Sequence, residues 1–191
     1  MGPDGSRKEG LAMQIRNAVR ALIIHDDKLL SIKKERANVG IYYALPGGAQ
    51  ELDETLEQAL VRECREELGV EITDSHLLCI REYISNNHEY SFIMKKVHAI
   101  DFMFLCKIDP IADDLRSVRA DIGQIGIEWL PIPHIRESLL QPDKLERPLK
   151  FPGRLHEFYY DFFVTGKVGL LQSESYLHTA ASRSDNNNRG N

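Results

Sequence analysis

Residues 48–70 read GAQELDETLEQALVRECREELGV, and this stretch governs the reading of the whole chain. Thr55 stands three residues before Gln58, the pattern of a capping box, in which each side chain satisfies the other's backbone N–H at a helix start. Gly69 follows the last periodic leucine and supplies a stop. The spacing therefore predicts a helix over Thr55–Leu68. At about 100° per residue, Leu56, Leu60, Val61, Cys64 and Leu68 share one face of normal core width. Glu63, Glu66 and Glu67 fall together on the adjoining face, along with Ala59, whose small side chain leaves room beside them. Three carboxylates so close repel and raise one another's pKa values, which is costly unless a divalent cation neutralises them. Hard oxygen ligands in this arrangement suit Mg²⁺ or Mn²⁺ rather than zinc. The competing reading is a solvated acidic helix face, since exposed glutamates are common.

Working outward, Asn17–Ile24 and Leu29–Lys33 are β-rich runs around His25-Asp26-Asp27-Lys28, the pattern of a hairpin. Tyr42–Leu45 reads as a short strand running into the turn signal Pro46-Gly47-Gly48. Downstream, Leu77–Ile84, Lys96–Ile108 and Gly126–Leu130 read as strands, and Ile135–Leu140 and Leu155–Phe163 as helices. Strands before and after one central helix predict an α/β (α+β) sandwich with a mixed sheet rather than a regular βαβ array. Residues 1–12 are polar and read as an N-terminal tail or cloning remnant, residues 13–171 as one domain, and 172–191, ending in Asn-Asn-Asn-Arg-Gly-Asn, as a flexible C-terminal tail.

The 191 residues carry 42% hydrophobic and 28% charged side chains, enough for one well-buried core. The best apolar run, Ala18–Ile24, is interrupted by Arg20 and falls far short of a membrane-spanning helix. Three cysteines, none in a CxxC pair, argue for a reducing, cytoplasmic compartment over a disulfide framework. Residues 51–71 hold eight acids and two arginines, a local net of −6 against −5 for the whole chain, so the remainder carries +1. That excludes the basic face a duplex-binding protein needs.

The wider spacing resembles the Nudix box, Gly-x5-Glu-x7-Arg-Glu-U-x-Glu-Glu-x-Gly-U, where U is a bulky apolar residue. Gly48, Glu54, Arg62, Glu63, Glu66, Glu67 and Gly69 occupy every fixed position, with Cys64 at one U position. Leu45-Pro46-Gly47-Gly48 ahead of the box, Tyr43, and Glu128-Trp129 downstream also fit the family, here identified as the MutT-related Nudix hydrolases. Asp53 stands where a glycine often precedes the first box glutamate, a departure that could reshape the turn. The resemblance implies a Nudix-type α/β/α sandwich and a metal-dependent hydrolase. Such an enzyme cleaves the pyrophosphate of a nucleoside diphosphate linked to a group X, such as a nucleotide or sugar. It implies Gly47, through its carbonyl, and Glu63, Glu66 and Glu67 as metal ligands, with Glu63 or Glu66 alternatively the general base. It implies that Glu54 and Arg62 pair to fix the loop against the helix. A non-catalytic Nudix-fold module that senses a nucleotide is the alternative, although such modules usually lack a box carboxylate and this chain has all four.

Other residues carry weaker signals. Lys33, Lys34 and Arg36 could meet phosphates, against a solvated strand end; Asp121 or Glu128 could add an acid from a late loop, against ordinary surface acids. His25 reads as structural. The cluster Phe158, Tyr159, Tyr160, Phe162 and Phe163 reads as core packing, with base stacking or a homodimer interface as alternatives. The family's downstream selectivity signatures are absent: no proline stands between the box and Pro110, Tyr83 falls early and Tyr90 late. Group X is therefore expected to be read by loops around 85–95, with His88 and Tyr90, and around 113–124.

Overall fold

The computed structural model describes residues 15–84, 98–108 and 115–173. β1 (Ile15–His25) and β2 (Lys28–Arg36) form the expected hairpin. Its two central residues, Asp26 and Asp27, have φ of 46° and 57°, the left-handed pair that a twist-matched two-residue turn requires. β3 (Gly40–Ala44) pairs with β2, and α1 (Leu56–Leu68) follows with the capping box formed and Gly69 in the left-handed conformation at its end. Then come β4 (Ile72–Ile84), β5 (His98–Ile108), β6 (Gln124–Pro131) and α2 (Ile132–Leu140). A short 3-10 turn (Pro142–Lys144) precedes α3 (Gly153–Tyr159), which widens into a π-helical turn (Tyr160–Thr165), and β7 (Leu171–Ser173) closes the order.

The sheet is mixed. Its order is β3-β2-β1-β5-β4-β7, with β6 also paired to β2. β1 runs parallel to β5 and β4 parallel to β7, while the other pairs are antiparallel. Alternate residues of β1 serve opposite faces. Val19, Ala21 and Ile23 pack with Leu60, Cys64 and Leu68 of α1; Leu22, with Met103, packs with Ile135 and Leu139 of α2 and Phe158 and Tyr159 of α3. The result is the expected α/β/α sandwich.

Differences from the sequence reading are local. β4 starts at Ile72 rather than Leu77, because its polar Asp74 and two register shifts break the period-two alternation while pairing with β5 holds the strand. α2 starts at Ile132, with Pro133 in its first turn, where the missing N–H costs nothing. β7 enters the segment expected as a tail and pairs Ile80 with Leu171 and Glu82 with Ser173. Ala59, expected beside the acids, is fully buried, because α1 is sunk deep enough that Ala59 and Glu67 both join its inner side. Four of the five aromatics lie in or against the α2–α3 core, with Phe158, Tyr159 and Phe163 buried and Phe162 packed on them; the fifth, Tyr160, faces out. The three cysteines are free and buried. Among the described residues no helix is long and apolar enough to cross a membrane.

Candidate active site

The site begins where β1 and β2 separate. They pair directly only at Ile24–Leu29 and His25–Lys28, and the segment after β3 runs into the opening. Ala21 N–H donates to the Pro46 carbonyl at 2.9 Å and Val19 N–H to the Gly48 carbonyl at 2.9 Å. Gly47, between them, is left with its own N–H and carbonyl for side chains. The N–H donates to Glu67 Oε2 at 2.8 Å, and the carbonyl accepts from Arg20 Nη1. Gly47 has φ of 127°, and a Cβ there would lie 2.1 Å from the Val19 carbonyl oxygen, so glycine is required on both counts.

Glu67 is 4% exposed. Burial pushes its pKa up to about 7; Glu63 and Asp121 add to the rise, and the Gly47 N–H and the Arg20 guanidinium oppose it. Glu63, one helical turn earlier, lies against Gly48, where a Cβ would come within 2.4 Å of its Oε1. It also accepts from Arg62 Nη1 at 2.8 Å. Arg62 grips Glu54 through two nitrogens, at 3.0 and 2.7 Å, and donates to the Ala49 carbonyl at 3.0 Å. This guanidinium holds the Glu54 carboxyl below the ordinary range. The expected Glu54–Arg62 pair is therefore formed, and it ties the loop to the helix. Asp53, at φ of 66°, takes the left-handed conformation that a glycine would, so the turn survives the departure.

Residues 115–124 close the helix end. Val118 and Arg119 N–H donate to the Glu66 carbonyl at 2.9 Å, Ser117 Oγ donates to the same atom, and Gln124 Nε2 donates to the Glu67 carbonyl. This part of the loop expected to read X thus caps the helix. The Glu66 side chain, 28% exposed, faces Arg119 at 3.7 Å. Asp121, an exposed acid, is ion-paired with Lys34, and its charge adds a minor part to the rise of Glu67. Lys33 is bonded to Glu128, which also accepts from Tyr43 at 2.8 Å, and Arg36 lies over the Tyr42 ring. His25 packs edge-on to Trp129. His88 and Tyr90 lie outside the described residues.

Sequence reasoning missed Arg20. It is 6% exposed and pairs with the fully buried Asp101 on β5. Its one signal is that it alone breaks the apolar run Ala18–Ile24.

Among the described residues, no three His, Cys, Asp or Glu side chains converge as a finished metal cage. The donor chemistry nevertheless fits a hard divalent cation. Glu63, Glu67 and the Gly47 carbonyl offer only oxygen, and Glu67 is a buried carboxylate that an added cation would return to its charged form. A mixed sheet between helices, with a glycine turn hydrogen-bonded to a carboxylate-bearing helix, defines an α/β protein. The NUDIX domain description matches residues 14–151, and the chain belongs to that family. It is similar to an ADP-ribose pyrophosphatase of Methanocaldococcus jannaschii, 34% identical over 100 residues that span 52% of this chain and 54% of that protein. The match thus spans about half the length of that relative. The phosphatase NudJ of Escherichia coli is 25% identical over 68% of this chain and 74% of its own length. A MutT NUDIX hydrolase crystal structure from Burkholderia pseudomallei superposes with a TM-score of 0.51 at 27% identity, covering 72% of this chain and 91% of the other.

Proposed function

We propose that the chain is a metal-dependent hydrolase that cleaves the pyrophosphate of a nucleoside diphosphate linked to a group X. The observation that carries this reading is the Gly47 turn, pinned to Glu67 by its N–H while Glu63 lies against Gly48. Glu63, Glu67 and the Gly47 carbonyl would hold Mg²⁺ or Mn²⁺, with Glu66 and Asp121 within the same acidic neighbourhood. A bound divalent cation neutralises phosphate charge and lowers the pKa of water.

The chain's own residues do the rest. Glu54 and Arg62 keep the loop over the helix. Glu63 and Glu66, 14% and 28% exposed at the side chain, are the carboxylates open enough to take a proton from an attacking water. Glu67, buried on the Gly47 N–H, is not. Replacing Glu63 and Glu66 singly by Gln assigns the base, because loss of the base flattens the acid limb of the pH–rate profile. The names of relatives, a pyrophosphatase and a phosphatase, support the class of reaction; the group X is left to the assay.

The test is a panel of ADP-ribose, nucleotide sugars, dinucleoside polyphosphates and nucleoside triphosphates with Mg²⁺ or Mn²⁺, read by release of nucleoside monophosphate. The expected result is hydrolysis of at least one member that vanishes in excess chelator. Full activity in chelator overturns metal dependence. Tight binding of a panel member with no turnover under any divalent ion overturns catalysis in favour of a sensing module.

A further inference from the structure

Arg20 is a charged residue inside an otherwise apolar strand, and its contacts are not those of a simple internal staple. Its Nε reaches Asp101 Oδ1 at 3.4 Å, a long ion pair, while its closest contact is the bond from Nη1 to the Gly47 carbonyl. Asp101 is fully buried, yet its Oδ2 has no hydrogen-bond partner among the described residues. An unpaired buried acceptor is costly, so the single long contact to Arg20 does not by itself satisfy Asp101. The cross-strand neighbour of Asp101 on β4 is Arg81, whose guanidinium lies over the Phe158 ring. Arg20 itself spans from Asp101, through Nε, to the turn, through Nη1. There its Nη1 donates to the Gly47 carbonyl, the oxygen offered beside Glu67 by the turn whose N–H is bonded to that carboxylate.

We propose that Arg20 is a positioning residue that competes with a divalent cation for the Gly47 carbonyl and so sets the affinity of the metal site. The inference rests on the metal-dependent reading above. A carbonyl oxygen has two acceptor sites, so both cations can approach it. A guanidinium and a divalent ion sharing one oxygen repel strongly in a buried setting. Metal entry must therefore lengthen or break the Arg20 bond, and Asp101 is the group toward which Arg20 withdraws. Arg20 is in this way built to hold the turn in shape and to yield the carbonyl.

The two members of the pair then have opposite effects on metal affinity. Asp101→Asn leaves the Arg20 charge uncompensated and removes the group it retreats to, so Mn²⁺ binding weakens. Arg20→Met combined with Asp101→Asn removes the competitor without stranding a buried carboxylate, so binding tightens by at least about tenfold, the equivalent of one charge-assisted hydrogen bond. The measurement is Mn²⁺ titration of the metal-stripped protein, read by electron paramagnetic resonance of the free ion and needing no turnover. Thermal melting of the stripped proteins checks that each variant is folded. A merely structural pair would weaken binding in both variants, and that result, or unchanged affinity in both, overturns the proposal. If the double variant does not melt cooperatively, Asp101→Asn decides alone: weaker binding supports the proposal, and unchanged or tighter binding overturns it. Failure of the unsubstituted protein to bind Mn²⁺ removes the metal-dependent reading itself, whereas wrong signs in the variants remove only the role of Arg20.

Discussion

Burial pushes the Glu67 carboxyl up to about 7, against an ordinary glutamate value near 4.5. In the metal-stripped protein the folded state therefore holds a proton that the unfolded chain has already released over that window. The stability this group contributes is complete below the ordinary carboxylate range and is lost as pH rises through about 7, by about 3 kcal/mol at most. Urea denaturation of the stripped protein at pH about 5.5 and about 8 measures it. Subtracting the same curves for Glu67→Gln should leave a residual that falls with pH; a flat residual would mean the carboxyl is not perturbed. Added divalent ion should abolish the fall, because it favours the charged form. The same substitution should lower turnover by at least about a hundredfold, as loss of an electrostatic stabiliser does, without unfolding the chain. Steady-state kinetics beside a melting curve separates these outcomes, and unfolding as the main effect would make Glu67 structural.

At the scale of elements, the turn and the helix are bound by two glycines with different tolerances. At Gly47 an added Cβ would meet the backbone carbonyl of Val19 at 2.1 Å, with φ of 127° besides. At Gly48 it would meet the carboxylate end of Glu63 at 2.4 Å, a flexible side chain that can swing away. Gly47→Ala should therefore cost stability outright, by several degrees of melting temperature or loss of the folded state. Gly48→Ala should fold near normally and lose activity through displacement of Glu63. Equal melting losses in both would contradict this division. These elements also mark what could be read in advance. α1 was legible because its capping box, its apolar stripe and Gly69 are all local. The start of β4 was not, because Asp74 and the bulges give no period and only pairing with β5 makes a strand. The acidic face of Glu63, Glu66 and Glu67 was legible through helical periodicity, and the Glu54–Arg62 pair only through the resemblance to the Nudix box. The inward burial of Glu67 and Ala59 was not, since it depends on how deeply α1 sinks against β1. Arg20 reaches Asp101 across 81 residues of sequence, and no local pattern encodes that contact.

At the scale of the molecule, the core does not end where the family match ends. The NUDIX domain description reaches residue 151, but the cluster beneath the face opposite α1 continues through Leu155, Phe158, Tyr159 and Phe163, each no more than 5% exposed. These side chains cover Leu22, Cys79 and Met103 on the central strands, and the Arg136 guanidinium on α2 ties to the Phe163 carbonyl at 2.7 Å. Loss of one large buried side chain costs about 2–5 kcal/mol, and a domain has only about 5–15 kcal/mol to lose. Removing four at once, and exposing the apolar strand face beneath them, exceeds that margin. A chain cut after Phe151 should accordingly lack a cooperative melting transition although it retains the whole box and the Gly47 turn. Phe158→Ala in the full chain should melt cooperatively at a lower temperature and still bind Mn²⁺ with unchanged affinity, because its contacts lie on the far side of the sheet from α1. Calorimetry on both proteins, with Mn²⁺ titration of the second, tests the argument. A cut chain that melts cooperatively would show that α3 is an addition to the domain and not part of its core.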